Sequence, residues 1–152
     1  MNAKRAARMF VWYALAALLV VVVLAAGWLA YRFLAPVEVR LASNVNDLPF
    51  EVQVIPPVVE ARPGEMVSVI YRIHNKNITP LEAFGKIQVE PNDATDQIKI
   101  FLTQCGGLNT FQNSVSADYL VYFRVQPAGL TGAQAITIDH IFTRAAPASV
   151  LP

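Results

Sequence analysis

Residues 67–74 read VSVIYRIH, and their apolar side chains fall at alternate positions, Val67, Val69, Tyr71 and Ile73. An apolar side chain at every second position is the pattern of a β-strand with one face in a protein core. Turn-forming sequences bound the run, with Pro63-Gly64 before it and Asn75-Lys76-Asn77 after it. The stretch therefore predicts a half-buried strand in a β-rich domain.

Six further runs repeat this alternation on either side. They cover residues 37–41, 50–54, 87–89, 98–100, 119–125 and 136–142. Seven short strands in about 110 residues, separated by Pro, Gly, Asn and Asp, indicate an all-β, immunoglobulin-like antiparallel β-sandwich. We expect this sandwich to span residues 35–145 and residues 146–152 to form a flexible tail. The Cys–Trp–Cys core of antibody domains is absent, so only the architecture is predicted.

A long apolar segment precedes the sandwich. Residues 9–31 contain no charged side chain and read MFVWYALAALLVVVVLAAGWLAY. A helix of 23 residues covers a hydrocarbon core of roughly 30 Å. Aromatic side chains lie near both ends of the segment, as they do at the two interfaces of a membrane span. We expect a cytoplasmic tail over residues 1–8, a single transmembrane anchor over 9–34 and an extracytoplasmic β domain.

A cleaved signal peptide is the alternative for this segment. Its apolar region has roughly 7–15 residues and ends at a cleavage site of small residues. Here the run is longer, and Arg32 and Phe33 follow it. The sequence favours an uncleaved anchor in the inner (plasma) membrane, with the N-terminus in the cytoplasm and the C-terminal domain in the periplasm.

The charge distribution agrees with this topology. The 152 residues carry 12 basic and 11 acidic side chains, a formal net charge of +1. Residues 1–35 hold four of the basic side chains and no acidic one, which by the positive-inside rule places the N-terminus in the cytoplasm. A net charge near zero indicates no nucleic-acid partner. Since 55% of the residues are hydrophobic, the composition excludes a disordered chain.

Few residues carry reactive chemistry. The chain has one cysteine, Cys105, and two histidines, His74 and His140. The alternation places His140 in the core or on a sheet surface, and His74 at a strand end. Their spacing indicates no three-ligand metal site, and no catalytic motif is present, so we expect no enzyme. Because Cys105 precedes Gly106 and Gly107, we expect it in an exposed loop, where a thiolate could bind Cu(I).

Seven short patterns follow one another along residues 39–143. They are Val39–Leu41 with Asn44-Val45, Leu48–Val52, Arg62–Glu65, Tyr71–Asn75 with Thr79-Pro80, Val89–Pro91, Tyr122–Pro127 and Ile136–Thr143. In order and spacing they resemble the CtaG family, the membrane-anchored copper-delivery proteins of cytochrome c oxidase assembly. The resemblance implies a short cytoplasmic tail, one span and a periplasmic immunoglobulin-like domain that delivers Cu(I) to the oxidase.

The departure from the family pattern falls on its copper motif. The family carries a cysteine–aromatic–cysteine–aromatic run, and here Cys105 stands at the first cysteine position and Gly107 at the second. The family's further cysteine just outside the span has no counterpart in residues 31–37. One soft ligand leaves Cu(I) to water or to a neighbouring molecule.

Three functions remain open from the sequence. The first is an accessory protein of a haem–copper oxidase or respiratory supercomplex, acting as an assembly factor or a retained subunit. The second is a working Cu(I) chaperone in which Cys105 binds the ion in a homodimer or with a partner thiolate. The third is a membrane-tethered immunoglobulin-like module with another partner, bound through the edges of its sheets.

Overall fold

The computed structural model describes residues 3–127 and 135–145, and the side chains of residues 11–31, 34–127 and 135–145. The chain divides between Ala35 and Pro36 into two units. The expected tail over 146–152 lies outside the described residues, and so do Ala128-Gly129 and Gly132, whose residue types predict turns before the last strand.

The first unit is one helix, α1, over Ala3–Leu34. It begins within the segment predicted as a tail, because nothing in residues 3–8 breaks a helix. Its stretch Val11–Tyr31 has 21 residues and is long and apolar enough to cross a membrane. The side chains of that stretch are exposed, as expected for an apolar helix whose surface contacts lipid instead of water. Pro36 follows the helix end, where the sequence places its stop.

The second unit contains nine strands and one short 3₁₀ helix in its described part. The strands are β1 (Val37–Val45), β2 (Phe50–Ile55), β3 (Val58–Ala61), β4 (Met66–Asn75), β5 (Leu81–Glu90), β6 (Ile98–Thr103), β7 (Gly107–Phe111), β8 (Ser116–Val125) and β9 (Ala135–Arg144). The 3₁₀ helix spans Asn92–Gln97, between β5 and β6. All seven predicted strands form, and β3 and β7 are additional.

The strands build two sheets. One has five strands in the order β3-β1-β9-β5-β7, and the other has four in the order β2-β4-β8-β6. The pairs are antiparallel except β1 and β9, which run parallel from Glu38↔Ala135 to Val45↔Phe142. A mostly antiparallel two-sheet β fold behind one apolar helix confirms the predicted fold class.

The core lies between the two sheets. Alternate residues of each long strand point into it, and their neighbours face outward; in β9, for example, Ile136, Ile138, His140 and Phe142 are buried. The four-stranded sheet adds Tyr71 and Phe123, both with no exposed surface. The position that the sequence marks as chemically distinct, Cys105, lies in the turn between β6 and β7, where the chain crosses from one sheet to the other.

Candidate functional site

The turn that carries Cys105 is held against the four-stranded sheet by its neighbour Gln104. The Gln104 backbone N–H donates to the Leu120 carbonyl at 3.0 Å, and the Leu120 N–H donates to Oε1 of Gln104 at 2.8 Å. On the other side of the turn, Nδ2 of Asn109 donates to the Gly106 carbonyl at 3.0 Å. These bonds fix the turn at both ends, so Cys105 occupies one defined position.

That position is inside the protein, so the expectation of an exposed Cys105 is wrong. Cys105 has 0% of its surface exposed and belongs to the hydrophobic core. The physical reason is Gly85 in β5, because a side chain there would overlap the carbonyl oxygen of Cys105. The missing Cβ lets the turn descend onto β5 and bury the thiol. The glycines beside Cys105 indicate a tight turn, but they carry no information on which way it folds.

Inside the core, Cys105 meets His140. Its Sγ lies 3.6 Å from Nδ1 of His140, whose side chain is also 0% exposed. The imidazole stacks on Phe142, with ring centroids 4.6 Å apart and planes 3° apart, and its edge contacts the Tyr71 ring at 5.2 Å. Its Nε2 atom is buried and has no hydrogen-bond partner among the described residues. The site is therefore a thiol–imidazole pair enclosed by aromatic rings.

Burial keeps this pair neutral. Removal from water raises the pKa of the Cys105 thiol to about 11, because the thiolate loses its hydration. The same cause lowers the pKa of His140 to about 4, against a smaller opposing effect of the Cys105 backbone. Burial also raises the pKa of the neighbouring Tyr71 hydroxyl. Near neutral pH the site holds a protonated thiol, which is a poor nucleophile and a poor metal ligand, and an uncharged imidazole that is closed to solvent.

His74, the other histidine, lies elsewhere. It belongs to β4, whose inward positions are taken by Tyr71, Ile73 and Asn75, so His74 faces outward. Its Nδ1 is 3.2 Å from Oγ of Ser116 on the neighbouring strand. The structure thus brings Cys105 together with one of the two histidines. Within the described residues no three His, Cys, Asp or Glu side chains are grouped to hold a metal ion.

His74 lines a shallow polar depression of about 250 Å³ on the surface. Its lining is formed by Glu51, Gln53, Arg72, His74 and Ser116. Arg72 is held by Asp118 in a bidentate pair with distances of 2.7 and 2.8 Å, and Glu51 is held by Lys76 at 2.9 Å. Because its charged side chains are satisfied by neighbours, the depression offers little to a ligand.

The sequence singles out Cys105 and leaves His140 in the core or on a sheet surface, but it gives no prediction for Gly85. One signal could have found it, since an isolated glycine within a strand pattern often marks a close approach of another backbone. The contact of Cys105 with His140 has no local signal, because the two residues are 35 positions apart and meet only through the topology.

Comparison with known proteins identifies the family to which the chain belongs. The family model described as cytochrome c oxidase assembly protein CtaG/Cox11 matches residues 30–144, a range that includes all nine strands. No curated protein matches the chain by sequence. The match covers well over half of the chain, and it agrees with the order of motifs along β1 to β9. The chain therefore belongs to the CtaG/Cox11 family of cytochrome c oxidase assembly proteins.

Proposed function

We propose that this chain is a membrane-anchored accessory protein of a haem–copper oxidase, acting as an assembly factor or a retained subunit, and that it does not deliver copper through Cys105. One observation carries the proposal. A β domain that matches an oxidase assembly family along its length has its only thiol enclosed in the core, with 0% exposure. On this proposal the chain has kept the fold of the family but has lost its metal chemistry.

The donor set at Cys105 does not fit Cu(I) as a cargo. Cu(I) prefers soft thiolate ligands. Here the second cysteine position of the family motif is Gly107, and the remaining thiol has a pKa of about 11. The Nδ1 atom of His140 lies 3.6 Å from the sulfur, and the side chain that carries it is as deeply buried as Cys105. An ion would have to enter the closed core and displace a thiol proton before it could be passed on.

The helix supports anchoring in a membrane. Val11–Tyr31 satisfies the length and composition of a span, and Lys4, Arg5 and Arg8 precede it. The positive-inside rule then assigns the N-terminus to the cytoplasm and the β domain to the periplasm of the inner membrane. That is the side on which the proposed partner, an extracytoplasmic part of the oxidase, would meet it.

The surface beside Cys105 supports binding to a protein. Phe84 on β5 and Leu108 on the edge strand β7 are direct cross-strand partners, and 49% and 63% of their surfaces are exposed. They form an outward apolar pair at an open sheet edge, whose free backbone groups can accept an additional strand. Leu108 also occupies the position that follows the second cysteine of the family motif. We place the oxidase contact at this pair.

A non-catalytic role fits the same geometry. Cys105 and His140 are as close as a nucleophile and its base, but catalysis needs a reacting group that substrate can reach. Both side chains are closed to solvent, and the thiol is protonated near neutral pH. We therefore assign the pair to packing.

Affinity purification of the full chain in a mild detergent tests the proposal. Oxidase subunits should co-purify with the parent chain. They should be lost from Leu108→Glu and retained with Thr110→Glu, a control on the same outward face of β7. Failure to recover any oxidase subunit with the parent chain would contradict the accessory role, and recovery of unrelated partners would favour the generic interaction module.

The distance between Cys105 and His140 favours one alternative, a Cu(I) chaperone. A thiolate and an imidazole are both Cu(I) ligands, and 3.6 Å between Sγ and Nδ1 is near the span that one ion can bridge. A homodimer or a partner thiolate would have to complete the site. Anaerobic Cu(I) loading decides between the two functions. Stoichiometric binding that Cys105→Ser abolishes would establish the chaperone, and binding that is unchanged in that variant would exclude it.

A further inference from the structure

A second group of outward side chains lies on the four-stranded sheet, at its β6 edge. We call it the Phe101 patch; it consists of Met66, Lys99, Phe101, Leu102 and Arg124. Three of its members form one row across the sheet, since Met66 pairs with Arg124 and Arg124 pairs with Lys99. The apolar members are 46%, 48% and 45% exposed for Met66, Phe101 and Leu102. The patch is therefore apolar and basic at once.

A β-bulge creates this arrangement. The register of β6 against β8 shifts between Ile100 and Leu102, so Phe101 is the extra residue without a partner on β8. Bulges redirect side chains at sheet edges. Here the ring of Phe101 lies beneath two cations, with Nζ of Lys99 5.4 Å and Cζ of Arg124 5.2 Å from its centroid. Because both cations contact the same aromatic ring, Lys99 and Arg124 lie side by side on one exposed surface.

These two charges have no acidic partner in the described residues. The ion pairs found there join Arg40 to Glu38, Arg72 to Asp118 and Lys76 to Glu51. Lys99 and Arg124 contact the Phe101 ring instead. Two uncompensated cations among exposed apolar side chains are complementary to a surface that is anionic and apolar together.

We infer that the Phe101 patch binds anionic lipid headgroups of the bilayer that anchors the chain. Basic side chains interact with the headgroup phosphates, while the aromatic and aliphatic side chains enter the interface. This inference rests on the anchoring proposed above. Helix α1 ends at Leu34 and β1 begins at Val37, three peptide steps that reach at most about 11 Å.

Val37, the first residue of β1, marks the end of the sandwich at which the chain enters the β domain. Val37 pairs with Ala61 at the end of β3, and the turn over residues 62–65 leads directly to Met66 in the patch. The patch row therefore lies at the end of the domain where the chain enters it. A tether of this length gives the patch a high effective concentration of lipid, so weak contacts suffice.

Headgroup quenching in reconstituted vesicles tests the inference. The full chain with Leu102→Cys is labelled with a fluorophore and inserted into phosphatidylcholine vesicles, with or without phosphatidylglycerol, that carry a nitroxide on some headgroups. Leu108→Cys is the matched control, an exposed leucine on the other sheet. The parent chain, treated in the same way, corrects for any label on Cys105. Flotation of the vesicles verifies insertion.

We expect stronger quenching at position 102 than at position 108, and only with phosphatidylglycerol present. Lys99→Gln with Arg124→Gln should reduce the ratio of docked to undocked domain by about thirty-fold, from about 1 kcal/mol per cation near an anionic surface. High salt should also reduce the ratio of docked to undocked domain, because the Debye length falls from about 10 Å at 0.1 M to about 3 Å at 1 M.

Four results would overturn the inference. Equal quenching at the two positions, or quenching that survives the double substitution, removes the role of the patch. A chain that does not float with the vesicles refutes the anchoring and the lipid contact together. Loss of oxidase subunits from the double variant, without lipid-dependent quenching in the parent, assigns the patch to a protein partner. Retained oxidase subunits with lost quenching support lipid binding and leave the accessory function intact.

Discussion

Sγ of Cys105 lies 3.6 Å from Nδ1 of His140, in a part of the core where neither residue has exposed surface. Cys105 lies in the turn that crosses from β6 of the four-stranded sheet to β7 of the five-stranded sheet, and His140 belongs to β9 of the five-stranded sheet. With the pKa of the thiol raised and that of the imidazole lowered by burial, they meet as neutral groups. The pair joins the sheets by packing.

The first prediction concerns the reactivity of Cys105. At neutral pH the folded chain in detergent should react with a disulfide reagent far more slowly than the unfolded chain. Burial raises the thiol pKa from 9.0 to about 11, which lowers the thiolate fraction about 100-fold, and burial adds steric protection. Stopped-flow measurement of thiol release checks this. Thr110→Cys supplies an exposed thiol as the control, and equal rates at the two sites would contradict the burial of Cys105.

Most of the fold was predictable because its strands alternate in a way that one sequence displays. The two strands that were missed lack that signal. β3 has only four residues and directly follows Pro56 and Pro57, and β7 begins at Gly107, in what reads as a turn. The parallel pairing of β1 with β9 joins segments about 100 residues apart, and no local pattern specifies it.

The candidate site was only half predictable for the same reason. Alternation left His140 either in the core or on a sheet surface, and the structure places it in the core. The direction of the Cys105 turn depends on Gly85 and therefore on a contact across 20 residues of sequence. The glycines next to Cys105 favoured an exposed turn, whereas the long-range contact with Gly85 buries it.

The second prediction is a loss of stability in mild acid. The pKa of His140 is about 4 in the fold and 6.5 in its unperturbed state, so between these values the unfolded chain binds a proton that the folded chain does not. The free energy of unfolding should therefore be full above pH 6.5 and fall as the pH drops toward 4, by about 3 kcal/mol from this residue.

Chemical denaturation at several pH values measures this loss. His140→Gln removes the titrating group, so the difference between the parent and the variant isolates the contribution of the histidine from those of the carboxylates. The variant should show a flatter dependence between pH 6.5 and 4. Parallel pH profiles for the two proteins would mean that His140 is protonated freely in the folded state.

The third prediction concerns Asn75 at the end of β4, which is 1% exposed. Its Nδ2 donates to the carbonyls of Phe111 at 3.0 Å and Thr79 at 3.2 Å, and its Oδ1 accepts from the Asn77 N–H at 2.9 Å. Asn75→Ala removes the side-chain partner of the buried Phe111 carbonyl and of two part-buried backbone groups, and should cost about 3 kcal/mol of unfolding free energy. Asn92→Ala, at an exposed asparagine, should change it by less than about 0.5 kcal/mol. Equal small effects in denaturant titrations would show that water replaces these bonds.

The fourth prediction tests how Cys105 is buried. In an ordinary strand, replacing glycine by alanine stabilises by about 0.5–1 kcal/mol, because alanine loses less backbone entropy on folding. At Gly85 we expect the opposite sign. A Cβ there would overlap the Cys105 carbonyl oxygen and lie 2.9 Å from Nε2 of His140, so Gly85→Ala should cost about 3 kcal/mol.

Gly107→Ala is the matched control for this substitution. A Cβ at Gly107 meets nothing within 4 Å, but its φ of +73° is strained for alanine, at a cost of about 1 kcal/mol. Gly85→Ala should therefore be the more destabilising change, and it should also raise the reactivity of Cys105, since the turn must move away from β5. The control should leave that reactivity low. A stabilised Gly85→Ala variant with a protected thiol would show that the turn does not rest on this glycine.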